Sequence, residues 1–277
     1  MVFRRGDGSA MTEAERTTPV HGVPCWVSLM TRDLRAAQDF YTAVFGWDFR
    51  SGTLGEGFTV AHADGLPVAG IGRIGPGLPT ATTWTPYFAV ADVDATAARV
   101  RERGGTIAVG PLRLGPGRGA VAADREGAGF GFWEGRTPPW SIGRGSAPAS
   151  LELRTSHAFD AAIFYSEVFG WDPHDPGGCE VGYVYQQDTV VVRQGGHTVA
   201  TLRGGGDGAS PDPRLRPQWH VRFRVDDLTA ATEAARKAGG EVSPPTVSPD
   251  DGPESMIGDP HGAFFTLTSR RSPATPE

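Results

Sequence analysis

"FYTAVFGWDF", residues 40–49, and "FYSEVFGWDP", residues 164–173, are two versions of one ten-residue phrase, and their relationship decides the fold. The two copies begin 124 positions apart and share Phe, Tyr, Val, Phe, Gly, Trp and Asp in the same order. So many matches among aromatic residues and glycine are not expected by chance. The phrase therefore predicts that one structural unit is present twice in the chain.

The repetition continues downstream at a slightly larger spacing. "VADVDATAARVRERGG" (90–105) aligns with "VDDLTAATEAARKAGG" (225–240), and "DREGAGFGF" (124–132) aligns with "DPHGAFFTL" (259–267), both with a shift of 135 positions. The increase from 124 to 135 means that the second copy carries about eleven additional residues. We assign them to the Gly/Pro-rich stretch at 203–217, which has little to bury and is typical of a loop.

The two copies predict two homologous domains. The first spans residues 21–135 and the second spans residues 148–270, and the segment between them, 136–147, has the composition of an exposed linker. The two ends of the chain, 1–20 and 271–277, are predicted to be flexible tails.

Each domain also repeats a pattern of elements internally. In the first domain an alternating strand at 25–30 leads to a helix near 34–45, and short strands follow around the Asp64-Gly65 turn. A strand at 86–90, a helix at 93–103 and further strands complete the series. We therefore predict two βαβββ modules in each domain and four in the chain.

The repeated phrase is itself predicted to be a helix with its stop signal. Apolar residues recur at helical spacing up to Val44, and Gly46 falls where a left-handed residue ends a helix. Trp47 then stands where it can fold back onto the last turn. A structural role is therefore favoured over ligand binding for this phrase.

The composition narrows the classes of function. A formal net charge of −6 argues against nucleic acid or an anionic membrane surface as the main partner. No apolar run approaches the roughly 20 residues of a membrane span, and the first residues lack the apolar core of a signal peptide. A cytoplasmic location is therefore predicted. Cys25 and Cys179 are expected to be buried, reduced thiols, although a disulfide between them is left open.

With these segments in this order, the chain resembles the vicinal oxygen chelate superfamily, which includes glyoxalase I, bleomycin-resistance proteins and extradiol dioxygenases. The resemblance rests on "TRDLRAAQDFYTAVFGW" (31–47), "FDAAIFYSEVFGW" (159–171), the "VDDL" and "GG" segments and "DPHGAFFTL" (259–267). It implies an α+β fold in which paired βαβββ modules form a curled, partly open mixed β-sheet around a cleft, with the helices outside. Many members hold a divalent metal in that cleft through His, Gln or Glu.

The resemblance also implies where metal ligands would stand in this chain. Counted from the matching segments, the positions fall on Trp26, Thr85, Gly131 and Ala69 or Gly70 in the first domain, and on Ser150, His220, Thr266 and Val199 or Ala200 in the second. Only His220 among them can bind a metal, whereas catalytic zinc or iron centres use about three protein ligands. We therefore predict no metal and no other cofactor, and we disfavour a metal-dependent lyase or dioxygenase.

Strand alternation independently predicts which side chains face each cleft. The apolar alternate residues should lie under the helices. The others should face the clefts: Trp26, Ser28, Met30, Thr85, Tyr87 and Trp133 in the first domain, and Ser150, Glu152, Arg154, His220, Arg222 and Thr266 in the second. The first set is an aromatic box and the second set is polar and charged. In the competing interpretation the tryptophans only fill space, the charged residues link the domains, and His220 is a structural histidine.

The cleft residues favour metal-independent binding of a small aromatic or polycyclic molecule, with drug sequestration or self-resistance as the role. The alternative is a cofactor-free or accessory enzyme, such as a hydroxylase, isomerase or cyclase, that acts on a similar secondary metabolite with His220 and Glu152 as its acid–base pair. A third hypothesis is a structural interaction protein whose clefts are closed. Whether the chain forms a homodimer is left open.

Overall fold

The structure, a computed structural model, describes residues 22–269 apart from 53, 56, 76–81, 138–141, 143–149, 173, 175–177, 185–187 and 249–251. The predicted tails, 1–20 and 271–277, and most of the predicted linker lie outside the described residues. The flexibility of the tails and the boundaries of the two domains therefore stay predictions.

The first domain is built on an eight-stranded mixed sheet with the strand order β2-β3-β4-β1-β5-β8-β7-β6. Along the chain its elements are β1 (Pro24–Thr31), α1 (Leu34–Phe45), β2 (Asp48–Ser51), β3 (Phe58–Ala63), β4 (Leu66–Arg73), β5 (Thr83–Ala89), α2 (Val93–Glu102), β6 (Thr106–Leu114), β7 (Gly117–Ala123) and β8 (Gly129–Glu134).

The second domain repeats this plan in a nine-stranded sheet with the order β10-β11-β12-β9-β13-β17-β16-β14, and β15 pairs with β16. Its elements are β9 (Ser150–Arg154), α3 (Ala158–Phe169), β10 (Glu180–Val184), β11 (Thr189–Gln194), β12 (His197–Arg203), a 3-10 turn (Pro213–Leu215), β13 (Gln218–Val225), α4 (Leu228–Lys237), β14 (Glu241–Val242), β15 (Thr246–Ser248), β16 (Gly252–Gly258) and β17 (Phe264–Ser269).

The predicted fold class is confirmed, because each sheet consists of two βαβββ modules. The modules meet through the antiparallel pair β1–β5 in the first sheet and β9–β13 in the second. The last strand of each module runs parallel to its first strand, as β4 does to β1 and β8 does to β5. Within the described part of the chain, none of the helices combines the length and apolar character that a membrane crossing requires.

The repeated phrase ends its helix in the way that the sequence predicts. In α1, Asp33 caps the first turn by accepting a hydrogen bond from the backbone N–H of Ala36, 3.0 Å away. Gly46 ends the helix in the left-handed region at φ 69°, where a side chain would be strained. The ring of Trp47 folds back and stacks on Phe45 with their centroids 4.4 Å apart. Gly170 ends α3 in the same conformation.

One face of each sheet is buried in the core, as strand alternation predicts. The alternate residues that should lie under the helices, including Val27 and Leu29 in β1 and Leu151 and Leu153 in β9, are fully buried. They belong to one continuous hydrophobic core that contains residues of both domains. The helices occupy this side of each sheet, away from the cleft, and there α1 packs against α4 and α2 against α3 of the other domain.

Two crossed hydrogen-bonded triads join the domains in this core. The hydroxyl of Tyr41 on α1 accepts from the indole N–H of Trp84, 3.0 Å away, and donates to Asp259 Oδ2 of the second domain at 3.0 Å. Its repeat equivalent Tyr165 on α3 accepts from the indole of Trp219 at 2.9 Å and donates to Asp124 Oδ2 of the first domain at 2.9 Å. Each domain thus supplies a tyrosine to the other and receives one in return.

We expect Tyr41→Phe and Tyr165→Phe each to lower the free energy of unfolding by about 1–3 kcal/mol, because each change leaves a buried indole N–H and a buried carboxylate without their shared partner. Denaturant titration at pH 7 measures this loss. Tyr183→Phe is the matched control, since it removes a tyrosine–aspartate hydrogen bond, to Asp188, at the edge strand β10. Equal losses in all three variants would show that the interdomain triads stabilise the fold no more than the hydrogen bond between Tyr183 and Asp188 does.

Candidate ligand-binding clefts

The first domain holds a cavity of about 250 Å³ on the face of its sheet opposite the helices, which we call the first cleft. Its wall is mainly apolar and aromatic and consists of Cys25, Trp26, Ser28, Leu54, Phe58, Val60, Tyr87, Leu114, Pro116, Trp133, Arg136 and Thr137. Four aromatic rings therefore border one small space.

Two of these rings rest directly on glycines, at or next to positions where the resemblance to the superfamily implies metal ligands. A Cβ atom on Gly131 would lie 2.3 Å from the Tyr87 ring, and one on Gly70 would lie 2.3 Å from the Phe58 ring. Real Cβ atoms do not approach other atoms so closely, so any other residue would displace the rings. In the first domain, aromatic surface thus takes the place of two ligand positions.

Polar groups in the first cleft are few and neutral. Tyr87 hydrogen-bonds to the Ser28 side chain, and burial raises the pKa of the tyrosine hydroxyl, so it stays protonated at neutral pH. Burial also raises the pKa of the Cys25 thiol to about 12, which makes it a poor nucleophile. Cys25 and Cys179 are both free and buried, so the expectation of reduced thiols is confirmed.

The structure brings together four of the six residues predicted for this cleft: Trp26, Ser28, Tyr87 and Trp133. The other two do not line this cavity. Met30 lies further along β1, where its sulfur covers Gly72, and Thr85 is buried in the sheet opposite Ser28. Sequence reasoning missed Phe58 and Val60, although their alternation along β3 would have placed them on the same face.

The second domain holds a cavity of about 360 Å³ at the equivalent face, which we call the second cleft. Its wall is largely polar and consists of Glu152, Arg154, Asp212, Arg214, Leu215, His220, Arg222, Ser243, Pro244, Thr246, Glu254, Met256 and Thr266. Five of the six residues predicted for it are therefore present. The sixth, Ser150, is buried beside Arg222 in the sheet and does not line the cavity.

Buried ion pairs dominate the floor of the second cleft. Arg222 is 8% exposed and donates through Nη1 to Glu152 Oε2 at 3.0 Å and through Nη2 to Glu254. Arg203 Nε lies 3.7 Å from the same oxygen of Glu152. These links run within one domain, so the hypothesis that these charges join the two domains is wrong for Arg222 and Glu152.

The same two sheet positions are linked in both clefts but with different chemistry. Ser28 and Tyr87 of the first domain correspond in the repeat to Glu152 and Arg222 of the second. The neutral link between a hydroxyl and a phenol in one domain is a salt bridge in the other. The two clefts therefore share a scaffold and differ in the polarity of the ligands they can accept.

His220 is the least satisfied polar residue of the second cleft. Its side chain is 3% exposed, and its Nε2 atom has no hydrogen-bond partner among the described residues. Burial, the largest cause, lowers its pKa to about 4, which the nearby Arg154 and Arg222 favour and Glu152 opposes. The imidazole is therefore neutral at pH 7 and can donate or accept one hydrogen bond at the cavity wall.

The additional residues of the second copy form part of this wall, which the sequence analysis did not foresee. The stretch at 203–217 was interpreted as a loop with little to bury, but its Asp212, Arg214 and Leu215 line the cavity. Arg214 pairs with Asp212, with Nη2 and Oδ2 2.8 Å apart, and its backbone carbonyl accepts from Arg154 Nη1 at 3.2 Å. The Gly and Pro content of this stretch predicted an irregular backbone, but it did not predict that the stretch would line the second cleft.

The residues present do not fit a metal centre of the kind that the superfamily uses. In the first domain the ligand positions implied by the resemblance hold Trp26, Thr85, Gly131 and either Ala69 or Gly70, none of which is an imidazole or a carboxylate. In the second, Val199 and Ala200 are buried in the core, and Thr201, which pairs with Glu152 as Gly70 pairs with Ser28, is a threonine rather than an imidazole or a carboxylate. Among the described residues, no three His, Cys, Asp or Glu side chains converge in a way that could hold a metal ion.

Comparison with known families matches both halves of the chain. Residues 25–132 match the family described as Glyoxalase/Bleomycin resistance protein/Dioxygenase superfamily, and residues 150–268 match the family described as Glyoxalase-like domain. Anthracycline biosynthesis protein DauV of Streptomyces sp. (strain C5) is 34% identical over an alignment of 278 positions, gaps included, that covers 90% of this chain and 94% of the relative. The CFP32 protein of Mycobacterium bovis is 32% identical over 255 residues, with coverage of 89% and 94%.

Solved structures show the same fold at low sequence identity. The Mn(II)-bound glyoxalase from Novosphingobium aromaticivorans superimposes with a TM-score of 0.60 at 17% identity, over 91% of this chain and 83% of that one. A 4-hydroxymandelate synthase mutant from Streptomyces coelicolor superimposes with a TM-score of 0.55 at 15% identity, over 94% and 95%. At such identity the likeness shows the fold alone.

The buried state of His220 predicts a specific dependence of stability on pH. Its pKa is about 4 in the folded chain and about 6.5 when unfolded, so the unfolded state takes up this proton first as the pH falls. The wild-type protein should therefore lose about 3 kcal/mol between pH 7 and pH 4 that the H220Q variant does not lose. Denaturant titrations at several pH values measure the difference. H197Q, which removes an exposed histidine, is the control; a wild-type profile parallel to that of H220Q would contradict the burial of the imidazole.

Proposed function

The chain belongs to the glyoxalase/bleomycin resistance protein/dioxygenase superfamily, and we propose that its first cleft binds a flat aromatic or polycyclic small molecule without the help of a metal. The observation that carries this proposal is the convergence of Trp26, Phe58, Tyr87 and Trp133 on one cavity. Flat rings gain apolar burial and stacking energy against such a wall.

Metal independence is proposed from the side chains themselves. Binding by stacking needs no metal ligand, and the ligand positions of the first domain carry Trp26, Thr85, Gly70 and Gly131. Tyr87 and Ser28 supply a neutral hydroxyl pair that can orient a ring carrying a hydroxyl or carbonyl group. Stoichiometric zinc, iron or manganese in the purified protein, lost in H220A, would contradict this part of the proposal.

The biological role that we propose is in secondary metabolism. Two similar proteins, DauV and DnrV of Streptomyces, carry names that place them in anthracycline biosynthesis. A protein that buries a flat polycyclic compound in its first cleft could withhold it from cellular targets, which is drug sequestration or self-resistance. It could equally present the compound to a partner enzyme of a pathway of that kind.

We expect F58A to weaken the binding of a hydroxylated anthraquinone by about tenfold or more, because it removes one of the rings that border the cleft. Quenching of tryptophan fluorescence, with Trp26 and Trp133 in the wall, measures the affinity. F159A is the matched control, since it truncates the same residue type on the exposed face of α3, where Phe159 is 55% exposed. Unchanged affinity in F58A and W133A, or equal loss in F159A, would place the ligand elsewhere.

The alternative function is catalysis on a similar substrate, favoured by the unpartnered Nε2 atom of His220. In this hypothesis the substrate binds in the second cleft, where His220 removes a proton and Glu152, which Arg222 and Arg203 hold, acts as its partner. We expect H220A to abolish turnover of a converted anthraquinone while its affinity stays within about threefold of the wild type. Mass spectrometry of incubated ligand detects the product. If H220A retains both affinity and product formation, His220 is not catalytic.

A further inference from the structure

The second domain exposes apolar side chains on the helix-bearing side of its sheet, away from both clefts. Phe159 and Ile163, one helical turn apart on α3, are 55% and 44% exposed. The ring of Tyr183 on β10 stands edge-on to Phe159, with the two centroids 5.7 Å apart. Val181 is also exposed and lies two residues before Tyr183, on the same face of the strand. We call these four residues the α3–β10 surface.

The duplicated scaffold does not require this surface to be apolar. In the first domain, the positions of Phe159 and Ile163 are held by Arg35 and Asp39, which are charged and exposed on α1. The solvent-facing side of a helix is ordinarily polar. The apolar residues of α3 therefore indicate that another segment or molecule covers this part of the second domain.

The strand beside this surface is an edge of its sheet. Among the described residues, β10 pairs with β11 on one side and with no strand on the other. The corresponding edge strand of the first domain, β2, carries the exposed ion pair of Asp48 and Arg50, and charged residues of this kind discourage further strand pairing. In β10 the charged Glu180 is followed by four uncharged residues. The outer backbone groups of β10 can therefore accept an added strand.

The chain enters the described structure beside the start of this edge strand. Gly22 is buried, and its backbone carbonyl accepts hydrogen bonds from the indole of Trp171 and from the thiol of Cys179, the residue before β10. Gly22 also lies against the last residue of α3, because a Cβ atom on it would be 2.7 Å from the carbonyl oxygen of Phe169. The groove between α3 and β10 therefore begins where residues 1–21 join the first domain.

The segment before Gly22 has the length and the composition to follow this groove. β10 has five residues, and five residues of extended chain span about 17 Å. Residues 17–21 include three β-branched residues that favour a strand: Thr17, Thr18 and Val20. Pro19 lacks a backbone N–H donor, but proline is tolerated in a strand that forms the edge of a sheet.

We propose that residues 10–21 fold back over the second domain and cover the α3–β10 surface. Residues 17–21 run antiparallel to β10 and add a strand to its edge, because the segment arrives at Gly22 beside the start of β10. Residues 10–16 continue across α3, where the apolar side chains of Met11 and Ala14 cover Phe159 and Ile163. The segment that the composition predicts to be a flexible tail is, in this proposal, a further link from the first domain to the second.

Hydrogen exchange, measured by mass spectrometry on the full chain, tests the added strand. Replacement of residues 10–20 by an equally long Gly/Ser stretch should accelerate exchange of the β10 amides by about tenfold or more, because their outer hydrogen bonds are lost. The amides of β2, the edge strand of the first domain, are the internal control and should not change. Unchanged rates in β10, or an equal acceleration in both strands, would overturn the proposal.

The peptide bond after Arg16 reports whether the segment is docked. Trypsin should cleave it at least about tenfold more slowly in the full chain than in a synthetic peptide of residues 10–22. I163E should remove most of this protection, because it places a charge within the apolar contact. V247E is the matched control, since it introduces the same charge at a valine that is 78% exposed on β15. Equal cleavage in the chain and the peptide, or equal effects of the two substitutions, would contradict the docking.

Dilution distinguishes the segment from a second copy of the chain. An intramolecular segment protects β10 equally at about 1 μM and about 100 μM protein, whereas a second copy protects it only where the chain is dimeric. We therefore expect the exchange of β10 to be independent of protein concentration. Protection that falls on dilution, together with a change from dimer to monomer in sedimentation, would assign the surface to a second copy and overturn the proposal. None of these measurements requires a ligand, so their outcome is separate from that of the proposed function.

Discussion

The structure depends on the burial of the helix-bearing faces of the two sheets against each other, where α1 meets α4 and β5 meets β13, and on the crossed Trp–Tyr–Asp triads that join them. Tyr41 and Tyr165 each stand at the centre of an aromatic cluster and each reach a carboxylate of the other domain. Each buried hydroxyl accepts from a tryptophan of its own domain, but the carboxylate to which it donates comes only with the correct docking of the two domains. One face of each sheet is thereby committed to the shared core, which leaves the opposite faces available as clefts.

The duplicated scaffold carries two different chemistries because the core and the cleft are constrained separately. Core positions such as Phe88 and Phe223, Leu29 and Leu153, stay apolar in both domains, since a polar change there would lose packing. Cleft positions face open space and can diverge. Tyr87 and Arg222 occupy one equivalent position, and each finds a partner on the neighbouring strand, in Ser28 and Glu152 respectively.

Much of the fold and part of the candidate site could be predicted because they depend on local patterns. The helix α1 and its end at Gly46 follow from spacing and capping, and strand alternation placed Trp26, Tyr87 and His220 on the cleft faces. The same alternation also predicted that Met30 and Thr85 would line the first cleft, which they do not. Strand alternation gives the face of the sheet on which a residue lies. The extent of a cavity also depends on the loops and neighbouring strands that border it, which alternation does not describe.

The amino-acid sequence by itself determined the duplication and the four βαβββ modules, since these depend on periodicity along the chain, and its resemblance to the superfamily implied that residues such as Trp26 and Gly131 replace metal ligands. Only the tertiary structure decided how the halves join and where each cleft ends. Tyr41 meets Asp259 across 218 positions of sequence, and the stretch containing Arg214 turns back over the second cleft. Such contacts depend on packing between distant elements, which no local pattern of residues encodes.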